Sequence, residues 1–353
     1  MTRRELLWLA SSGLIGGTAL DASEPQNLSY PLRAIEGTVT PPNLLFVREH
    51  FSAPEVSLET WKLRIEGQVE HPYELGFADL VELPGRKVEA VLECAGNVAG
   101  GSAVSSGIWE GVQISTLLEA AVPAPDAAFL LLEGHDSGRL HEGGPTLPYS
   151  QLVPIAKCRE ASSLVAFKYN DLTLPKRNGF PARALFPGWY GMDSVKWLRR
   201  IAVLRADDRD SIFHRSGMDS LYNRVSRTNS TPHTERLSLV QVKSAMASPG
   251  EGSKLPAGRH QVWGFAWSGA AAVRDVKLSA DDGKTWSNAR LEAKPNEHGW
   301  VRWSYEWNAS PGDYVLLSRA SDQAGNQQPM ARDPARRDGY ELNFCAPVHC
   351  SVR

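Results

Sequence analysis

The sequence predicts a protein of the α+β class with two domains, a β-rich mixed domain followed by an all-β sandwich. Its 353 residues are too many for one ordinary domain and suit two. From Pro41 to about residue 205, short strand-like runs alternate with short helical runs and Gly/Pro turns. From Ser238 onward only strand-like runs occur, and turn sequences separate them at regular spacing, which is typical of a β-sandwich.

The first domain is predicted to span residues 41–205. Residues 61–67 alternate apolar and polar side chains and end at a glycine, which favours a strand. Residues 77–83 form a short helical turn that Pro84 stops, because proline cannot continue a helix. The other predicted elements of this domain are strands over 87–92, 128–133, 163–168 and 195–204 and helices over 114–121 and 150–156.

Residues 206–235 are charged and irregular, and they are predicted to form a surface connector. The second domain, residues 236–353, contains predicted strands over 262–267, 273–279, 300–307 and 314–320. Its tryptophans recur at alternate strand positions, which favours a sandwich core over a ligand site. Six of the eleven tryptophans of the chain lie here: Trp263, Trp267, Trp286, Trp300, Trp303 and Trp307.

The N-terminus is predicted to be an export signal. Arg3 and Arg4 precede a short, weakly apolar run over residues 8–20, which is typical of a signal peptide of the twin-arginine route. Residues 1–22 are therefore expected to be removed and the mature protein to be periplasmic. The alternative is an amphipathic N-terminal helix that stays. Residues 23–40 carry no period and are predicted to be an extended leader.

Charge and hydropathy exclude two classes of protein. The net charge of −2 argues against a nucleic-acid binder, which needs a basic surplus. No stretch beyond the signal reaches the ~20 apolar residues that span a bilayer, so no membrane span is expected in the mature chain.

Four cysteines, Cys94, Cys158, Cys345 and Cys350, allow either two disulfides or buried thiols. Their spacing does not suit a zinc site, and no c-type haem motif occurs. Cys94 has a distinct setting, because the strand-like run over 87–92 leads directly into Glu93-Cys94-Ala95-Gly96-Asn97. A thiolate at such a turn can be a nucleophile, a redox thiol or a metal ligand. A lone cysteine is more often simply buried.

A series of short motifs, in order from Pro41 to the C-terminus, resembles the sulfite-oxidase family of molybdopterin enzymes. Each motif is weak alone, but together they cover about 300 residues. They are Phe46-Val47-Arg48-Glu49-His50, Glu93-Cys94-Ala95-Gly96-Asn97, Trp109-Glu110-Gly111-Val112, Glu133-Gly134-His135-Asp136, Asn178-Gly179-Phe180-Pro181-Ala182-Arg183 and Ser194-Val195-Lys196-Trp197-Leu198. The second domain resembles the family's immunoglobulin-like dimerisation domain, which implies a homodimer.

The resemblance implies a molybdopterin cofactor whose molybdenum is bound by Cys94, since high-valent molybdenum favours soft sulfur donors. It implies cofactor contacts from residues in three parts of the first domain: Phe46, Val47, Arg48, Glu49, His50, Asp136, Asn178, Arg183, Ser194, Val195 and Lys196. Arg183 and Lys196 suit the cofactor phosphate, and Asp136 suits the amino groups of the pterin. Arg48 and His50 would face the substrate. Without the resemblance, Arg48 reads as a surface ion pair and His50 as a structural histidine.

The implied reaction is oxidation of sulfite to sulfate, with the electrons leaving to an external acceptor such as a periplasmic cytochrome c. Two alternatives remain, a molybdenum-dependent reductase of S-oxides or similar oxo donors and a non-catalytic β-rich scaffold. The second domain is expected to favour the oxidase, because reductases of the family tend to lack it.

Three departures bear on the substrate. Residues 98–101, Val-Ala-Gly-Gly, stand where sulfite oxidases carry arginines, and the segment from Cys94 to Trp109 is short and lacks their substrate-pocket tryptophan. Asn178 stands where the family commonly has histidine. Tyr222 is the nearest candidate for the family's catalytic tyrosine, and a packing role in the connector is the alternative.

Overall fold

The structure of the protein, a computed structural model, describes residues 24–208, 223–228, 231–334 and 339–353. The predicted signal peptide and Tyr222 lie outside the described residues. Within these ranges, no helix has the length and apolar character needed to cross a membrane.

The chain enters along a two-stranded ribbon of β1 (Asn27–Leu28) and β2 (Val47–Arg48), with 3₁₀ turns at Leu32–Ala34 and Pro42–Leu44 between them. Two five-stranded sheets follow and form the first domain. One runs in the spatial order β4 (Tyr73–Gly76), β3 (Lys62–Gly67), β12 (Leu198–Arg205), β7 (Ala127–Gly138) and β8 (Leu147–Pro154). The pairing of β12 with β3 is parallel and the others are antiparallel.

The other sheet of the first domain is antiparallel and delivers the Cys94 turn. Its order is β10 (Leu172–Thr173), β9 (Leu164–Tyr169), β6 (Val104–Gln113) and β5 (Gly85–Glu93), with β11 (Arg183–Leu185) also paired to β9. The helices of this domain are α1 (Phe77–Glu82), α2 (Ile114–Ala121) and α3 (Ile155–Cys158), and a 3₁₀ turn covers Lys176–Asn178.

The main core lies between these elements. Along β3 the alternation buries Leu63 and Ile65, and along α2 the helical period buries Ile114, Leu117 and Leu118. Burial of this apolar surface is the dominant stabilising contribution to the domain.

A hairpin of β13 (Asn223–Thr228) and β14 (Thr231–Arg236) leads to the second domain. That domain packs a sheet of β15 (Lys243–Ser248), β17 (Gly258–Trp267), β21 (Val301–Ala309) and β20 (Arg290–Leu291) against a second sheet. The second sheet is ordered β16 (Ser253–Leu255), β23 (Val348–Val352), β22 (Gly312–Asp322), β18 (Val273–Ser279) and β19 (Ser287–Asn288).

The predicted fold class is confirmed. Trp303 and Trp307 are buried in the sandwich core, as expected, whereas Trp263 and Trp286 are half-buried. Trp267 and Trp300 are also buried, but at the boundary with the first domain. A further apolar cluster joins the two domains: Leu32, Ile35, Val91 and Tyr190 pack with residues such as Trp267 and Trp300. The leader is therefore not simply extended, because it also binds the second domain through Trp300 Nε1, which donates to Thr38 O at 2.7 Å.

Three predicted elements need correction. Residues 150–156 were expected to be helical, but β8 runs to Pro154 and only Ile155–Cys158 is helix, because pairing with β7 buries Ser150 to Val153. The last strand of the first domain begins at Leu198, not at Val195, because Trp197 has a φ of 49° that interrupts extended backbone. The connector is not wholly irregular, since it contains the hairpin.

All four cysteines are free thiols, so the disulfide alternative is not realised. Cys158, Cys345 and Cys350 are buried, and burial raises the pKa of each thiol.

Candidate active site

One cavity of about 270 Å³ brings most of the predicted site residues together. Ten of them line it: Phe46, Arg48, Glu49, His50, Cys94, Asp136, Asn178, Arg183, Ser194 and Lys196. Val47 and Val195 are buried and do not line it. Tyr222 lies beyond the part of the chain that the structure describes.

Cys94 is presented by the end of β5. Its amide donates to Ala103 O at 3.0 Å, and its carbonyl accepts from Asn97 N at 2.8 Å. The Asn97 side chain closes the turn, because Oδ1 accepts from Ala103 N at 3.0 Å. This hydrogen-bonded turn holds the half-buried Cys94 thiol at the cavity wall.

Arg48 and His50 lie two residues apart and both line the cavity, while Val47, the residue before Arg48 in β2, is buried. The His50 ring packs 4.6 Å from Phe51 and 5.7 Å from Tyr149, centroid to centroid. Burial lowers the pKa of His50, so its imidazole is neutral at neutral pH. Arg48 is exposed and is thus the cation available to a solvent-borne anion.

Glu49 is hydrogen-bonded within the protein. Its carboxylate accepts two hydrogen bonds from Arg177 Nη1, at 2.8 and 3.0 Å, and one from Gln26 N at 2.8 Å. This geometry anchors the 46–50 segment to the Lys176–Asn178 turn, and Asn178 Nδ2 adds a bond to Phe46 O at 3.0 Å.

Two cations stand on the inner side of the cavity. Among the described residues, the buried Arg183 guanidinium donates only to backbone carbonyls, those of Asn178 at 2.9 Å, Ser194 at 2.7 Å and Ala184 at 3.4 Å. Burial lowers the pKa of Arg183 to about 9. Lys196 Nζ donates to Arg177 O at 2.8 Å and lies 4.1 Å from the centre of the Trp197 ring. Burial lowers the pKa of Lys196 to about 7.

Asp136 is the acidic counterpart. It is buried, and its Oδ1 has no hydrogen-bond partner among the described residues. Burial raises the pKa of Asp136 to about 7, and the nearby Lys196 opposes this shift. A Cβ at Gly134 would stand 2.4 Å from this oxygen, so only glycine leaves the carboxyl its place.

These residues fit a cofactor that carries a phosphate, hydrogen-bond donors and a thiophilic metal. A buried carboxylate oxygen without a partner is uncommon in a native protein and calls for a donor. A buried guanidinium without a carboxylate suits an anion. The Cys94 thiol supplies the soft donor that such a metal prefers.

The sequence interpretation missed several lining residues, among them Tyr149, Met192 and Tyr340. Tyr340 comes from the second domain, and its ring lies about 4 Å from where a Cβ on Gly96 would stand. The backbone docks there too, since Glu341 N donates to Ala95 O at 2.9 Å. No local pattern could have assigned this residue, because 245 positions separate it from Ala95.

Comparison with known proteins agrees with this geometry. Residues 50–212 match the family described as the oxidoreductase molybdopterin binding domain, and residues 235–336 match the Mo-co oxidoreductase dimerisation domain. Sulfite oxidase of Gallus gallus is 30% identical over 90% of this chain and 74% of its own length. Nitrate reductase [NADH] of Volvox carteri is 30% identical over 88% of this chain and 40% of its own length.

Among solved structures, the sulfane dehydrogenase SoxCD of Paracoccus pantotrophus superposes with a TM-score of 0.79. The superposition covers 99% of this chain and 96% of that one, at 25% identity.

Proposed function

This chain belongs to the sulfite-oxidase family of molybdopterin oxidoreductases, and on that premise we propose that it oxidises sulfite to sulfate and passes the electrons to an external acceptor, a cytochrome c. The chain is a molybdopterin-dependent enzyme, so the scaffold alternative falls. The observation that carries the substrate proposal is the placement of the Cys94 thiol in one cavity with Arg48 and His50.

Four residues that line the cavity would bind the cofactor. Cys94 would supply the thiolate ligand, Arg183 and Lys196 would bind the phosphate, and Asp136 would accept from the pterin. When bound, the molybdenum cofactor supplies the two-electron oxidation of the substrate sulfur.

Arg48 would bind the sulfite dianion through a charge-assisted hydrogen bond, and its exposure gives the anion access from solvent. His50 is neutral and can therefore accept a proton or donate a hydrogen bond without repelling Arg48. The packing of its ring against Phe51 and Tyr149 fixes its orientation.

We further propose a periplasmic homodimer. The match of residues 235–336 to a dimerisation domain supports the dimer. Arg3 and Arg4 ahead of a short apolar run support export by the twin-arginine route. That route carries folded proteins, which suits a cofactor inserted before export.

A reductase of S-oxides or similar oxo donors is the second candidate. The nitrate reductase match extends over 88% of this chain. The presence of the second domain therefore does not distinguish oxidases from reductases, contrary to the expectation from the sequence. The turn after Cys94 favours this candidate, because the residue after Asn97 is Val98, 57% exposed, where an oxyanion site would gain from a cation.

The test is turnover by molybdenum-replete protein. We expect sulfite-dependent reduction of ferricyanide or cytochrome c and its loss in Cys94→Ser, measured with metal content in parallel. If the protein shows no sulfite-dependent turnover but oxidises a reduced dye with dimethyl sulfoxide or methionine sulfoxide, the reductase function is established. Cys94→Ser that keeps full turnover would refute the role of the thiol in either reaction.

A further inference from the structure

Glu93, the residue directly before Cys94, is fully buried and forms an ion pair with Lys243. Its carboxylate accepts three hydrogen bonds. Oε1 accepts from Lys243 Nζ at 2.5 Å and from Asn97 Nδ2 at 2.9 Å, and Oε2 accepts from Trp267 Nε1 at 2.8 Å. Each carboxylate oxygen therefore has a donor in the second domain.

Lys243 and Trp267 form one cross-strand unit. They are opposite each other in the antiparallel pairing of β15 with β17, and 1% and 0% of their surfaces are exposed. Because the two strands fix the spacing of the donors, they hold the two carboxylate oxygens at once.

The backbone around Cys94 is held by the same domain. Val91 N donates to His298 O at 2.8 Å, and Ala95 O accepts from Glu341 N at 2.9 Å. Val91, Glu93 and Ala95 are thus each bound to the second domain, and they flank Cys94 on both sides.

We propose that Lys243 and Trp267 are positioning residues that fix the Cys94 turn through Glu93, so that the second domain is part of the metal site as well as an assembly domain. This inference rests on the assignment of Cys94 as the molybdenum ligand in the proposed function. Partners beyond the metal ligands commonly set ligand orientation and metal retention.

Stability alone gives a weak reason for such a pair. Burying two charges costs about as much as their attraction returns, and a well-packed apolar pair of similar volume often folds equally well. Two fixed donors, one on each oxygen of the Glu93 carboxylate, give this side chain a single orientation, which a metal ligand next in sequence needs.

The experiment compares holoenzyme variants. Lys243→Met removes the ammonium group and keeps an unbranched side chain one atom shorter, and Trp267→Phe removes the indole N–H and keeps an aromatic ring. Ser244→Ala is the matched control, because Ser244 is the adjacent buried residue of β15 and bonds Ser318 Oγ at 2.9 Å, not Glu93. The measurements are the rate of molybdenum release from purified holoenzyme, the Mo(V) EPR g-values after dithionite reduction, and Tm.

We expect Lys243→Met and Trp267→Phe to release molybdenum about tenfold faster or more, with altered g-values, and Ser244→Ala to match the wild type. The double variant Glu93→Gln/Lys243→Met is expected to release molybdenum more slowly than Lys243→Met, because no unpaired carboxylate remains. If Lys243→Met does not fold, Trp267→Phe decides.

Variants that lower Tm while keeping wild-type release rates and g-values would overturn the proposal. It would also be overturned if the effects of Glu93→Gln and Lys243→Met on the rate of molybdenum release simply added in the double variant. Neither readout needs sulfite turnover. A wild type that binds molybdenum but does not oxidise sulfite would therefore refute the proposed reaction and leave this test readable.

Discussion

At the scale of single residues, the cavity separates an exposed cation from buried ones. Arg48 is exposed, whereas Arg183 is 5% exposed and, within the described part of the chain, donates only to backbone carbonyls. An anionic substrate arriving from solvent would meet Arg48, while a bound cofactor would satisfy Arg183.

Replacing Arg48 by Met should therefore raise KM for sulfite about tenfold or more, since a hydrogen bond to a charged group contributes roughly 1.5–3 kcal/mol. Molybdenum content should stay at the wild-type level. Steady-state kinetics at several salt concentrations measure the effect, and Arg86→Met is the control, because Arg86 is exposed near the opposite end of β5 from Cys94. Equal KM values for Arg48→Met and Arg86→Met would exclude Arg48 from substrate binding.

Asp136 makes a pH-dependent contribution with a defined sign. Its pKa is raised by burial from 3.8 to about 7, so in the apoprotein the folded state binds a proton that the unfolded state has lost. The stability from this group is full below pH 4 and is lost as the pH rises through 7. Lys196, whose pKa is lowered, acts with the opposite sign above pH 7.

Urea unfolding of the apoprotein between pH 4 and 7 measures this. Asp136→Asn should flatten the decline relative to the wild type. A variant with the same slope as the wild type would show that Asp136 is ionised throughout this range.

At the scale of elements, two paired strands of the sheet that carries Cys94 approach each other closely. The pairing of β6 with β9 shifts register between Glu110 and Gly111, and a Cβ at Gly111 would lie 2.2 Å from Val165 O. Backbone cannot move aside as a flexible side chain can, so this position admits only glycine.

Gly111→Ala is expected to destabilise the fold by about 1–3 kcal/mol, the usual cost of overpacking. Gly85→Ala is the matched control on the paired strand β5, since its Cβ would meet only Gly111 O at 3.8 Å. The free energy of unfolding in urea distinguishes the two. A Gly111→Ala variant as stable as Gly85→Ala would mean that the strands can separate at this point.

At the scale of the whole molecule, the two domains form a continuous unit. The cluster of Val91, Tyr190, Trp267 and Trp300 is apolar on both sides of the boundary, and the leader adds Ile35 to it. The second domain also supplies Tyr340 to the cavity. The cavity and the second domain are therefore connected by apolar packing as well as by the hydrogen bonds of Glu93.

The proposed homodimer would have twice the mass of one chain in sedimentation equilibrium across micromolar concentrations. The family match of residues 235–336 is the reason for this expectation. A single species of monomer mass over the whole range would contradict it.

Local pattern determined a large part of this architecture. The alternation in 61–67, the helical period of 114–121 and the strand pattern of 273–279 each specify an element, because side chains at fixed spacing share one face. The motifs from Phe46 to Lys196, through their resemblance to the sulfite-oxidase family, likewise pointed to ten residues that meet in one cavity.

Tertiary structure decided what no local pattern contains. Residues 150–154 became a strand because pairing with β7 outweighs a weak helical preference. The role of Glu93 depends on Lys243 and Trp267, 150 and 174 positions away, and Tyr340 reaches the cavity from farther still. Such contacts form only when the two domains pack, because the separation of two residues along the chain does not determine their distance in the folded protein.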